Sequence, residues 1–207
     1  KRDFLSLFIF ENCHFEGVSF SNKAFGSGKF LDCRFENCLF EDSELKAVVF
    51  ENCRFVRTRL SQLMNDGMTI FRSHFIDCFI SSWIHENIFL DRAVFEKSRL
   101  FNLTLTKGYV HNLHFAECEL ERCSLIHGRY SYLKFSNCEL DSIAFLSKGE
   151  VKGVEIRESF LDKVFVKAET KIDTFIVDSS FIKHSTFRNL NLNGAVFSDS
   201  KIEMNDL

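Results

Sequence analysis

The chain has 207 residues, with 26 Lys and Arg against 29 Asp and Glu and a net charge of −3. That near-balance excludes a surface of strongly one-sided charge. No apolar run is long enough to cross a membrane as a helix and no signal-peptide pattern is present, so neither a nucleic-acid nor a membrane partner is expected.

From Phe10 onward a large apolar residue stands at almost every fifth position: Phe10, Phe15, Phe20, Phe25, Phe30, Phe35, Phe40, Leu45, Phe50, Phe55 and Leu60. Within this series Phe recurs every twenty residues without a gap, at Phe15, Phe35, Phe55, Phe75, Phe95, Phe115 and Phe135. A fixed period of this size means stacked coils, and four five-residue steps make one coil. All eight cysteines, Cys13, Cys33, Cys38, Cys53, Cys78, Cys118, Cys123 and Cys138, lie two residues before a position in the apolar series. A free thiol behaves as a small buried hydrophobe. Small and large residues therefore alternate inward along short strands, with their neighbours outward. The fifth position of each step is rich in turn formers such as Asn12, Asn22, Asp32, Asn37 and Asn52, which tolerate unusual backbone angles. The 26 Phe outnumber 3 Tyr and 1 Trp, as suits a dry core with no partner for a polar handle. Proline is absent; it would remove a donor from the ladder between coils.

These residues resemble the pentapeptide-repeat family. The resemblance covers nearly the whole chain. It implies an all-β fold, a right-handed quadrilateral β-helix, with residues 1–207 as a single domain. Some ten coils, about 4.8 Å apart, would make a rod of about 50 Å.

Two irregularities stand out along the chain. Residues 61–69 contain Asn65-Asp66-Gly67, a strong turn signal, and predict a loop bulging from that corner. One coil on, Trp83 occupies a slot that wants a small side chain, so Trp83 and His85 are expected to be displaced outward. The register then slips across residues 147–153, where Gly149 and Gly153 stand among charges. Beyond it, one phase would bury Glu158 and Lys163, which is costly. The preferred phase turns Ile156, Leu161, Val166 and Ile176 inward, with Val154, Ser159, Val164 and Thr174 in the small slots. It leaves Phe160, Phe165 and Phe175 outward, and a further one-residue shift then gives Phe187, Leu192, Phe197 and Ile202. The repeat continues to the last residue and shows no capping helix. Because a solenoid needs a cap, one is expected beyond residue 207 of a longer parent protein.

Chemistry is sparse. The cysteines follow the packing period rather than pairing logic and are expected as reduced thiols in a cytosolic, reducing compartment. Parallel inward thiols such as Cys13, Cys33 and Cys53 do not converge on a tetrahedral metal. His85-Glu86 lacks the second histidine of a zinc-protease motif, and Gly26-Ser27-Gly28-Lys29 lacks the spacing of a phosphate loop. No cofactor, metal or catalytic residue is expected within the segment.

Function therefore falls to outward positions. On the face of the Phe ladder, the preceding residues form a stripe containing Arg34, Arg54, His74, His114 and Lys134. It reads either as a solvated face of charge pairs or as a basic surface for an acidic partner. A second candidate is apolar: Val49, Phe71, Phe89 and Tyr109 on one face, with Phe79, Ile84 and Phe101 on neighbouring faces. It marks either an interaction site or residues covered by a loop. Outward Phe160 and Phe165 make a third.

Three functions are weighed. The first is a protein-binding module, expected to be monomeric. In length, continuing repeat and wealth of Cys and Phe, the chain is similar to the N-terminal β-helix of bacterial type III effectors, the HECT-like E3 ubiquitin ligases of the SopA and NleL kind. That resemblance implies a catalytic cysteine outside these residues, secretion into a host cell, and a role here in recruiting host proteins of the ubiquitin system. The alternative is a DNA-mimicking pentapeptide-repeat inhibitor of a type II topoisomerase, against which the near-balanced charge argues. The third is an enzyme or metal site in the loops around Asn65, His85 or Gly149, which nothing positive supports.

Overall fold

The computed structural model describes residues 3–147, 151–168, 172, 174–188 and 195–203. Their regular structure is strand throughout, mostly three residues at a time. Each strand pairs in parallel with the strand one coil away, as in Phe35↔Phe55↔Phe75. The result is an all-β solenoid of about nine turns. Its four faces form three sheets, because the first two faces merge where Tyr109–Ala116, Arg129–Ser136 and Val151–Arg157 run unbroken round a corner.

The corners explain the five-residue step. Almost every fifth described residue adopts a left-handed backbone, among them Asn12, Asn22, Asp32, Asn37 and Asn52, with φ between 52° and 56°. Asn and Asp tolerate this region better than most residues. Side chains without that advantage, such as Ala47 at φ 51° and Tyr132 at φ 56°, also occupy it.

Inside, the Phe ladder is a stack of near-parallel rings. Successive centroids from Phe15 to Phe135 lie 4.5 to 5.1 Å apart. Burying each ring contributes about 1.5–3 kcal/mol. All eight cysteines are free; seven are buried and Cys13 is half-buried. Burial pushes the thiols of Cys53 and Cys78 up to about 12 and that of Cys123 up to about 11.

The small slots also meet a hydrogen-bonding need. The amide of Cys78 donates to Ser98 Oγ at 3.0 Å, and that of Cys53 to Ser73 Oγ at 3.0 Å. Each hydroxyl in turn points its proton at carbonyls of its own coil and of the coil below: Ser98 Oγ lies 2.9 Å from Glu96 O and 3.4 Å from Phe75 O. Thr58, Ser159, Ser180 and Ser185 each accept an amide proton in the same way. A buried amide left unpaired would be costly, so these slots select Ser and Thr for chemistry as well as size.

Three expectations need correction. No loop bulges at residues 61–69: Met64–Asp66 is an ordinary strand paired with Ile84–Glu86. The turn signal is absorbed by a normal corner, with Gly67 at φ 67°. Trp83 and His85 are not displaced outward; both are buried, at 2% and 0% exposure. The small imidazole occupies a large slot beside the large indole in a small one, so the local volume is conserved.

The third correction concerns the register. The first one-residue insertion falls between Phe145 and Val151, giving Tyr130↔Val151 and Phe135↔Ile156. Ile156, Leu161 and Val166 are buried, with Val154, Ser159 and Val164 in the small slots. A second insertion comes earlier than expected, between Val166 and Ile172, and gives Val151↔Ile172 and Ile156↔Val177. Val177 and Phe175 are therefore buried, whereas Ile176 faces outward and Thr174 is exposed. Phe187 is buried in the new phase, and Phe197 and Ile202 pair with Val177 and Ile182. Gly149 and Leu192 lie outside the described residues.

Candidate functional site

The stripe on the second face is interleaved with carboxylates. Glu36 accepts from Arg34 at 2.7 Å, is paired with Arg57, and lies 3.6 Å from His14. Burial pushes the Glu36 carboxyl up, but the hydrogen bond and charge of Arg34 and the charge of Arg57 outweigh it and hold the group below the usual range. His74 lies 3.2 Å from Glu96, and Lys134 lies 3.9 Å from Glu155, which Arg157 also pairs. Desolvation lowers the pKa of His74 and of His114, with Arg54 adding to the first and Lys134 to the second. Within the stripe Arg34 and Lys134 are thus paired with carboxylates, and Arg54 stands exposed between Arg34 and His74 in the ladder.

The apolar candidates are divided among three faces. Phe79 and Phe101 lie on the third face, opposite the first, beneath the guanidiniums of Arg59 and Arg122 at 5.0 and 5.4 Å. Ile84 is on the fourth face, 52% exposed, beside Met64 at 67%. Phe160 and Phe165 face outward, half-buried, on the third and fourth faces. On the first face Val49 pairs with Thr69, Thr69 with Phe89, and Phe89 with Tyr109. Phe71 occupies the neighbouring row and is covered by Arg72 at 4.4 Å and Arg92 at 5.8 Å.

What remains open is an aromatic strip. Phe89 and Tyr109 are 39% and 41% exposed, and their rings stack at 5.1 Å and 11°. The strip continues from Tyr109 to His111 at 6.3 Å and from His111 to Tyr132 at 5.4 Å. Tyr132 overhangs a groove of about 300 Å³ at the corner of the first and second faces, lined also by His114, Lys134, Gly153, Val154 and Glu155. Gly153 has φ 69°, and a Cβ there would meet the Tyr132 ring at 3.0 Å. Reading the sequence missed His111 and Tyr132. The available signal was an aromatic residue at a corner where Asn and Asp prevail.

No protein-family model matches the chain, and no curated protein does. Among solved structures it is similar to the plasmid-mediated fluoroquinolone resistance protein QnrB1, at 12% identity and TM-score 0.32, covering 94% of this chain and 93% of that one. It is similar also to HetL, a pentapeptide-repeat protein involved in heterocyst differentiation regulation from Nostoc sp. strain PCC 7120, at 8% identity and TM-score 0.34, covering 95% and 87%. A third is the pentapeptide-repeat protein Rfr23 from Cyanothece 51142, at 12% identity and TM-score 0.27, covering 69% and 89%. At these scores none brings an activity or a partner to this chain.

Proposed function

We propose that this solenoid is a non-catalytic protein-binding module and that the strip of Phe89, Tyr109, His111 and Tyr132 is its docking surface. The observation that carries the reading is the exposed Phe89–Tyr109 stack. Aromatic residues dominate interface energetics when a partner covers them, and two rings stacked on each other lose little rotamer freedom on binding. The groove beside Tyr132 gives a partner side chain a recess next to Lys134. The finer reading, recruitment of host ubiquitin-system proteins for a HECT-like ligase lobe elsewhere in a longer chain, rests on the sequence resemblance alone.

The test is capture of partners by the immobilised protein. Phe89→Asp and Tyr109→Asp each abolish capture of the proteins the wild type retains, with circular dichroism and melting unchanged. Capture of the same set by both variants would remove the strip as the docking surface. The topoisomerase-inhibitor reading predicts inhibition in a gyrase supercoiling assay. The mixed charge of the second face, with Arg34, Arg54 and Lys134 among its carboxylates, favours no inhibition.

A further inference from the structure

The fourth face differs from the other three in its outward charge. Its preceding row runs Ile84, Thr104, Ser124, Ala144 and Phe165 on successive coils, without a charged residue. Its following row runs Glu86, Thr106, Ile126, Leu146 and Lys167 in the same order. An acid therefore stands two coils before Ile126, a base two coils after it, and only uncharged residues between. One coil further out, Asp66 precedes Glu86 and Arg188 follows Lys167. Elsewhere charge interrupts every comparable stretch, as with Glu119, Glu121, Glu139 and Asp141 on the third face.

We infer that this face binds a second copy of the chain, the two rods lying antiparallel. The reason is symmetry. A two-fold axis in the plane of the interface, parallel to the strands at Ile126, reverses the coil order and keeps each row opposite itself. Such an isologous contact sets Glu86 of one copy against Lys167 of the other and Ile84 against Phe165. Thr104 meets Ala144, and Ile126 and Ser124 meet their own copies. The next coil out sets the Asp66 position against the Arg188 position and Met64 against Thr186. The pattern is a charge-depleted centre with complementary ends, as interfaces require. Existing contacts do not compete strongly. Glu86 has only the exposed Lys107 at 3.9 Å, and Lys167 has no carboxylate partner among the described residues. Arg122, at the corner of the central coil, is held by Glu121 at 3.3 Å and the Phe101 ring at 5.4 Å rather than projecting toward its copy. Seven coils spaced about 4.8 Å apart give a contact roughly 34 Å long. Across three-residue strands about 10 Å wide, that is roughly 340 Å² per partner, below the ~800 Å² of a standard complex, so the dimer is a weak one.

Sedimentation equilibrium from about 1 µM to about 500 µM tests this by mass action. The wild type shifts from monomer to dimer across that range. Ile126→Asp, which puts two carboxylates on the axis, raises the dissociation constant at least about tenfold. Glu86→Lys and Lys167→Glu each weaken the dimer about three- to tenfold, and the double variant recovers it. Circular dichroism and thermal melting confirm that every variant is folded. A wild type that stays monomeric throughout, or a dimer indifferent to Ile126→Asp, overturns the proposal. So does a double variant no better than either single one.

Discussion

Trp83 and His85 pack edge to face inside the rod, with ring centroids 4.6 Å apart and planes at 69°. Burial drives the His85 imidazole down to about 3, so it is neutral in the folded protein across the working pH range. An imidazole whose folded pKa lies below its unfolded value takes up its proton first in the unfolded chain. Its contribution to stability is whole above about pH 6.5 and is lost as pH falls from there toward 3. The slope approaches roughly 1.4 kcal/mol per pH unit. Urea midpoints measured from pH 7.5 to pH 4.5 should therefore fall steadily for the wild type and less steeply for His85→Leu, which matches the neighbouring Leu105 and Leu125. His74 and His114, lowered in the same direction, leave a smaller slope behind. Equal slopes in wild type and variant would refute the buried neutral state.

The amide of Cys78 depends on a hydroxyl from the next coil. Ser98→Ala leaves that amide without its acceptor and should cost about 1–3 kcal/mol. Ser98→Thr, which repeats the arrangement at Thr58, should recover most of it. Urea unfolding of the three proteins checks this, and a neutral alanine variant would show that the hydroxyl fills space only.

Phe75 is 1% exposed and stacks between Phe55 at 4.5 Å and Phe95 at 4.6 Å. Phe75→Ala should cost about 3–5 kcal/mol, as large core truncations do. A loss below ~1 kcal/mol would mean that the ladder closes up around the missing ring.

Ala47 is exposed and holds φ 51°, a region that carries a penalty for most L-residues. Ala47→Asn relieves the penalty without adding the unfolded-state entropy of glycine, and should stabilise by about 0.5–1 kcal/mol. The same denaturation assay reads the gain. A loss of stability would show that the corner gains nothing from an Asn side chain.

Much of this protein was written in its sequence because the coil is a local object. Phe15 to Phe135 could be assigned inward, and Cys33, Cys53 and Cys78 placed beside the large slots, from spacing alone. A five-residue step fixes the direction of each side chain without reference to distant residues. The outward placement of Phe89 and Tyr109 follows from the same count.

The tertiary structure decided what depends on neighbours twenty residues away. Whether Trp83 fits inside turns on the imidazole beside it and the coils above and below, and the local pattern pointed the wrong way. Phe175 and Val177 face inward because the second insertion precedes Ile172, a choice settled by which strand each residue can pair with. The aromatic strip through His111 to Tyr132, and the fourth face with an acid at one end and a base at the other, exist only when coils stack. Side-chain direction is set within a coil, whereas a surface is assembled between coils, and that is where the period stops being informative.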